Sequence, residues 1–218
     1  MTTMLIPVSL LMAAFGPWQP QQSRAADPSV ASAWQIGPII RSRNYSVGMP
    51  LHPTQARNGW YIDFPSPHAR AGSVHYVTFN PGSLEGKRRI VVRYRVEAAR
   101  GVRFVSSQTP DQPATISLYF QRRGDTWSGR GRYASYRWYA PAQTVAQLTP
   151  GEHEMVADLG QGWTSVQGQP ASADPYGFQG AIANADQVGL VMGTLSARGH
   201  GVFATGPARL TVTSFQIL

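Results

Sequence analysis

An all-β fold is predicted for this 218-residue chain: an antiparallel jelly-roll β-sandwich of about ten strands, preceded by a signal peptide. Three observations predict it. The chain holds 22 Gly and 17 Pro, and both residues weaken helix interiors. Between them lie short apolar runs that alternate with a period of two, the signature of a half-buried strand. Charged residues make up only 14%, too few for long solvated helices. The 42% of hydrophobic residues suffices for a core, and one domain is the default at this length. There is no cysteine, which excludes disulfides, a lipid-modified cysteine anchor and zinc sites built on thiolates.

Taken in order, residues 4–16 (MLIPVSLLMAAFG) are apolar and uncharged. They fall short of the roughly 20 residues that span a bilayer but match a signal-peptide core. Ser23-Arg24-Ala25 offers small residues for cleavage after Ala25, although Met1-Thr2-Thr3 lacks the usual positive charge. Residues 1–25 are therefore read as a signal peptide, and the protein as periplasmic or extracellular. The other reading is an N-terminal tail without that role. No later run is long enough to predict a membrane span. Residues 26–58 form a partly irregular segment in which Trp34–Ile40 is a candidate edge strand. The sandwich domain is assigned to residues 59–218.

Its expected strands are 59–64, 73–79, 88–97, 102–106, 114–122, 131–139, 153–158, 186–194, 201–204 and 208–218, each bounded by Gly, Pro, Asn or Asp. In 88–97, Ile90, Val92, Tyr94 and Val96 share one side, with Arg89, Val91, Arg93 and Arg95 on the other. In 114–122, Ile116, Leu118 and Phe120 oppose Thr115, Ser117, Tyr119 and Gln121. No segment shows a clear 3.6-residue apolar period, and residues 142–148 offer one helical turn at most.

Towards the C-terminus, Trp163, Val166, Gly168 and Phe178 precede the strand Val188–Met192. Gly199-His200-Gly201-Val202, Gly206 and a closing strand 208–217 follow. This arrangement resembles the C-terminal half of jelly-roll carbohydrate-binding modules with the galactose-binding-like fold. The resemblance covers about a quarter to a third of the chain, at core and turn positions, and carries over no binding residue. It implies a sandwich and, through the family, glycan binding. The sequence has no recognisable calcium-site motif, so no cofactor is assigned.

The net charge of +8 is unevenly placed. Residues 41–137 hold 16 cations and 5 acids, whereas residues 138–218 hold 2 cations and 5 acids. Eighteen of the 19 cations are Arg, a bias that a GC-rich genome also produces. Arginine interleaved with aromatics suits single-stranded nucleic acid, but no nucleic-acid-binding motif occurs and an exported protein rarely meets that target.

Catalytic patterns are sparse. Glu152, Glu154 and Asp158 can share one side of a strand, and a glycosidase needs two such carboxylates at about 5–9.5 Å. Their neighbours are only weakly core-like and Gly151 places Glu152 at a turn, so a solvated edge is the better account than a catalytic pair. The five histidines fall at no metal-ligand spacing. There is no G-x-S-x-G elbow and no phosphate-binding glycine loop.

The best-formed constellation joins arginine and aromatic residues. If strands 88–97, 114–122 and 131–139 share a sheet, its outer face carries Arg93, Arg95, Tyr119, Gln121, Tyr133, Arg137 and Tyr139. Trp127 lies beside a turn as a further stacking platform. Rings pack on sugar C–H faces, and arginine forks bind carboxylate or sulfate. These eight residues are the expected ligand contacts. The other reading is a solvated face on which arginine keeps the sheet from pairing. The sequence thus predicts an exported, non-catalytic protein that binds a polysaccharide or cell-envelope glycan, including an acidic one. A glycoside hydrolase or polysaccharide lyase of the same architecture, and an envelope structural or protein-interaction domain, are the alternatives.

Overall fold

A computed structural model of the chain describes residues 25–66 and 72–218. The signal segment expected at residues 1–25 lies, but for Ala25, outside the described residues. Among them are sixteen strands: β1 Trp34–Gly37, β2 Ile39–Ile40, β3 Arg43–Asn44, β4 Thr54–Gln55, β5 Trp60–Asp63, β6 Tyr76–Phe79, β7 Arg89–Ala98, β8 Phe104–Ser106, β9 Thr115–Arg122, β10 Arg137–Tyr139, β11 Ala146–Gln147, β12 Gly151–Asp158, β13 Thr164–Ser165, β14 Ala185–Gly193, β15 Val202–Ala204 and β16 Ala208–Ile217. One helix, α1 Pro175–Ala183, lies between β13 and β14.

The strands form an antiparallel β-sandwich. One sheet has seven strands in the order β1-β6-β14-β9-β10-β13, with β11 also paired to β9. The other runs β12-β7-β16-β5-β4. Two short ribbons, β15-β8 and β2-β3, complete the strand pairs. Among the described residues no helix is long and apolar enough to cross a membrane.

The sheets are joined by aromatic packing that crosses the layer. Trp34 of β1 is fully buried. Its ring lies 4.6 Å from Trp60 of β5, 4.5 Å from Phe79 of β6 and 5.1 Å from Phe215 of β16. A second cluster closes the opposite side, where Phe120 lies 4.8 Å from Trp163 and Trp138 lies 4.9 Å from Phe178 of α1. Each such side chain removes enough apolar surface from water to contribute about 1.5–3 kcal/mol or more. In β7, Ile90, Val92, Tyr94 and Val96 enter this core while Arg89, Arg93 and Arg95 face water.

Two expectations need correction. Residues 131–139 do not form one strand: Gly131–Ser135 is a 3-10 turn, and only Arg137–Tyr139 is extended. Gly129 and Gly131 both have positive φ, 62° and 56°, which turns the chain before it can join the sheet. Ser135 Oγ then donates to Asp174, pinning the turn to the cap of α1. The helix itself was unforeseen. Asp174 caps it by accepting the Gly177 N–H at 2.9 Å, Pro175 opens it, and Phe178, Ala181 and Ile182 face the core. Its nine residues are too few, and two of them glycine, for the apolar period to stand out.

Replacing Trp34 by Ala is expected to cost about 3–5 kcal/mol, because β1 then loses its hold on both sheets. Urea unfolding of the variant beside the parent protein checks this, and a midpoint shift under a third of that size contradicts the assigned role of Trp34.

Candidate functional site

The shared arginine and tyrosine face divides between two sheets. Arg93 and Arg95 lie on β7 of the five-stranded sheet, whereas Tyr119, Gln121, Arg137 and Tyr139 lie on β9 and β10 of the seven-stranded sheet. Tyr133 sits apart, in the 3-10 turn before β10.

On the five-stranded sheet, Arg93 meets Glu154 at 2.6 Å, Arg95 meets Glu97 at 3.4 Å and Arg209 meets Asp63 at 2.6 Å. Arg209 also lies 3.7 Å over the Tyr61 ring. All of these groups are substantially exposed, so each pair contributes little to stability. Glu152, Glu154 and Asp158 project from β12, the edge strand, and are exposed. Glu154 is held by Arg93, and Asp158 accepts the Gly160 N–H. This face is solvated and only partly neutralised, and Arg93, Arg95, Glu152, His153 and Glu154 line an open hollow of about 350 Å³ on it.

The outer face of the seven-stranded sheet is different. Its polar residues are buried: Tyr119 is 0% exposed, Gln121 4%, Arg137 7% and Tyr139 8%. The sequence reading placed this side in solvent. Two loops cover it instead, and no alternation within a strand reports a long-range cover. Trp127 of the 123–130 loop packs on a cluster of Tyr76, Tyr119, Tyr139 and Val191. The Tyr76 ring lies 5.0 Å from Tyr119 and 5.3 Å from Trp127, and Tyr119 lies 5.2 Å from Tyr139. Trp127 takes φ +64°, which costs of order 1 kcal/mol for a bulky residue. Asp125 Oδ1 accepts the Trp127 N–H at 3.1 Å and supports that bend.

Beneath the cover runs a connected polar network. Tyr119 OH donates to Gln121 Oε1 at 2.7 Å, and Gln121 Nε2 donates to Asp125 Oδ2 at 3.0 Å. The same Oδ2 lies 2.8 Å from Arg137 Nε, an ion-pair contact without the alignment of a hydrogen bond. The Arg137 guanidinium lies 5.0 Å over the Trp127 ring. Tyr76 and Tyr139 join their hydroxyls at 2.9 Å. Burial raises the Asp125 carboxyl above its ordinary value, and Arg137 and the N–H groups of Trp127 and Thr126 pull it back. Burial also raises the Tyr76, Tyr119 and Tyr139 phenols, so all three stay protonated at neutral pH.

The second cover, residues 194–200, leaves a recess. Tyr139, Thr164, Ser165, Val166 and Gly168 line one side, and Leu195, Ser196, Arg198 and His200 the other, around about 280 Å³. That volume lies near the small end of ligand pockets. Arg198 Nη1 donates to the Ala140 carbonyl, which fixes the guanidinium against the recess wall. Gly199 has φ +76°, and a Cβ there would lie 2.2 Å from Tyr76 OH, so the loop rests directly on the tyrosines. His75 secures it, with Nδ1 2.9 Å from the Gly199 carbonyl and Nε2 2.9 Å from Ser73 Oγ. Burial lowers the His75 pKa from 6.5. His200 is exposed at the rim, and the desolvated part of its ring lowers its pKa in the same direction.

Five of the eight expected contacts, Tyr119, Gln121, Trp127, Arg137 and Tyr139, are thus brought together, with Tyr139 alone lining the recess. Sequence reading missed Arg198, His200, Thr164 and Ser165. The one signal for them was His200 between Gly199 and Gly201, a sign of close backbone approach. Among the described residues no group of three or more His, Asp or Glu side chains is placed to hold a metal.

No protein-family model and no curated protein sequence matches the chain. Among solved structures it is similar to the xylan-binding module CBM15, with 13% identity and a TM-score of 0.41, over 87% of this chain and 95% of that one.

Two outcomes follow from the geometry. Asp125→Ala leaves the buried Arg137 charge without its partner and should cost about 3–5 kcal/mol, whereas Asp125→Ala with Arg137→Met should cost less, because no charge is then stranded. Urea unfolding of the single and double variants distinguishes them. His75 binds a proton more readily in the unfolded chain, so its contribution is complete above about pH 6.5 and is lost as pH falls through the depressed folded value. Thermal melts between pH 8 and pH 5 should show this loss, and His75→Gln should flatten the profile.

Proposed function

We propose that the protein is an exported, non-catalytic carbohydrate-binding protein whose ligand seat is the Tyr139–Arg198–His200 recess. Its ligand is a polysaccharide or envelope glycan. One observation carries the reading: Tyr139, Thr164, Ser165 and Ser196 line a single recess with His200 and an anchored Arg198 guanidinium, although Tyr139, Ser165 and Ser196 also bond to Tyr76, to the Gln167 and Gln169 N–H groups and to Gln112. Sugars are dense in hydroxyls, each both donor and acceptor. A wall of hydroxyl and imidazole groups answers both roles, while an arginine fork binds vicinal hydroxyls or a uronate carboxylate. The recess is built on packed tyrosines, so little side-chain freedom is lost on binding. Export follows from the reading of residues 1–25 and belongs to the same proposal.

A second reading, a polysaccharide lyase, draws on the presence of Tyr139, Arg198 and His200 in one recess. The Tyr139 phenol, however, is engaged by Tyr76 and its pKa is raised, which makes it a poor base at neutral pH. A glycosidase draws no support here, because no carboxylate lines the recess.

Affinity electrophoresis in gels carrying single polysaccharides tests the proposal. Arg198→Ala should weaken retention about tenfold or more, the usual worth of a hydrogen bond from a charged group, with the fold kept by circular dichroism. Unchanged retention rejects the recess as the seat. Release of unsaturated or reducing ends over prolonged incubation with the retained polymer favours the lyase.

A further inference from the structure

We infer that a second contact surface, specific for the anionic groups of a polysaccharide, lies on the 3-10 turn and the end of β9. It consists of Arg132, Tyr133, Tyr136 and Arg122. This inference rests on the glycan-binding reading of the recess and adds the class of glycan.

The four side chains form an ordered ladder. The Arg132 guanidinium lies 4.9 Å from the centre of the Tyr133 ring, and its Nη2 donates to Tyr133 OH at 2.7 Å. Tyr133 meets Tyr136 edge to face at 5.0 Å. Arg122 then lies 4.9 Å over the Tyr136 ring. The backbone holds the pieces in register, for Arg122 N–H donates to the Tyr136 carbonyl at 2.7 Å and Tyr133 N–H to the Arg130 carbonyl at 3.1 Å. Arg132 is exposed, and Tyr133, Tyr136 and Arg122 are half-buried. The ladder is therefore preformed and reachable from solvent.

Among the described residues other arginines, Arg43 over Tyr45 one of them, also have no acid beside them; here two such guanidiniums rest on one continuous pair of rings. Residues 122–137 carry five arginines and one acid. Arg137 is matched by Asp125, and Arg123 lies 3.5 Å from Asp186. Among the described residues no carboxylate lies within 4.0 Å of Arg122, Arg130 or Arg132, whereas Arg93, Arg95 and Arg209 on the opposite sheet all have one. Asp174, which reaches the same turn, is occupied by Ser135 Oγ and the Gly177 N–H. A guanidinium resting on a ring is held in place while its remaining N–H groups stay free, and those suit carboxylate or sulfate oxygens. Tyrosine supplies surface for the C–H faces of the sugar.

The ladder also connects with the recess. Gln167 Nε2 donates to the Gly129 carbonyl at 2.7 Å. This bond ties the segment of Val166 and Gly168, which line the recess, to the loop that leads into Arg130 and Arg132. A polymer seated in the recess can thus continue over that segment to the ladder. One sugar in a recess is recognised by shape and hydroxyls; a chain that carries oxyanions at intervals gains the second surface as well.

The test uses the full chain and four probes in affinity electrophoresis: polygalacturonate, dextran sulfate, unmodified dextran and a single-stranded oligothymidylate. Retention by one or both anionic polysaccharides is expected, with dextran binding at least tenfold weaker, and it should decline as salt rises. Whether polygalacturonate or dextran sulfate is held more tightly decides between carboxylate and sulfate. The Arg122→Gln, Arg132→Gln double variant should lose about tenfold in anionic retention and much of its salt dependence. Tyr133→Ala with Tyr136→Ala should lose retention without altering the charge. If Arg198→Ala weakens retention while both ladder variants bind like the parent, the ladder is wrong and the recess stands. If the ladder variants weaken retention and Arg198→Ala does not, the recess reading fails by itself. Tighter binding of oligothymidylate than of either polysaccharide overturns the ligand class. Equal retention by dextran and dextran sulfate in the parent protein overturns the inference without recourse to any variant.

Discussion

β9 has solvent on neither side, and much of the molecule follows from that. Its core side, Ile116, Leu118 and Phe120, needs only packing. Its other side carries Ser117, Tyr119 and Gln121, and these are buried too; Tyr119 and Gln121 are hydrogen-bonded, whereas Ser117 Oγ has no partner among the described residues. Polar groups taken from water must be hydrogen-bonded or they cost several kcal/mol. The cover over β9 therefore has to supply partners as well as apolar surface. Asp125 serves Gln121 and Arg137, Trp127 closes the tyrosine cluster, and the 194–200 loop rests on Tyr76 through a residue with no side chain. The left-handed bend at Trp127 is a consequence of placing a large ring over Tyr76 while its own N–H turns back to Asp125.

The same constraint explains why the two sheets use arginine differently. On the five-stranded sheet the outer face meets water, and Arg93, Arg95 and Arg209 lie beside acids in exposed pairs worth little individually. On the seven-stranded sheet the single arginine of the covered face, Arg137, requires a carboxylate as fully buried as itself. Removing one partner of such a pair is costly even where the pair as a whole is not strongly stabilising. Of the other arginines of this region, Arg123 lies beside Asp186, whereas Arg122 and Arg132 rest on tyrosine rings.

How far the sequence was legible depends on the range of the interaction behind each feature. β7 was legible, because one face is core and the other water, and its alternation records both. β16 and β14 were legible for their β-branched content and glycine punctuation. β9 shows its alternation too, but its polar parity reads as solvent-facing, since most of what buries it, from Tyr76 to Gly199, lies far away in the chain. The run 131–139 was misjudged at its start, where the two positive-φ glycines act before any pairing can. Tyr119, Gln121, Trp127, Arg137 and Tyr139 share a residue-type pattern, and the fold gathers them beneath the covering loops, with Tyr139 alone lining the recess. Arg198 and His200 were not found, because a loop that approaches a sheet through a glycine leaves no periodic trace. Arg93 and Arg95 were grouped with them on an assumed common sheet; strand order is a long-range property that parity does not encode.

The position of the recess follows from these same contacts. A loop that covers a sheet of large side chains cannot fit it everywhere. Gly199 allows contact at Tyr76, yet Arg198 must reach back to the Ala140 carbonyl. Between those two fixed points and the β13 segment, the walls are set by residues already committed elsewhere: Tyr139 to Tyr76, and Ser165 to the N–H groups of Gln167 and Gln169. The space left over is therefore rigid and hydroxyl-lined as a by-product of satisfying the buried face. A recess made this way needs no flexible element of its own. The recess and the network beneath it are thus coupled through Tyr139, which belongs to the buried cluster and also lines the recess.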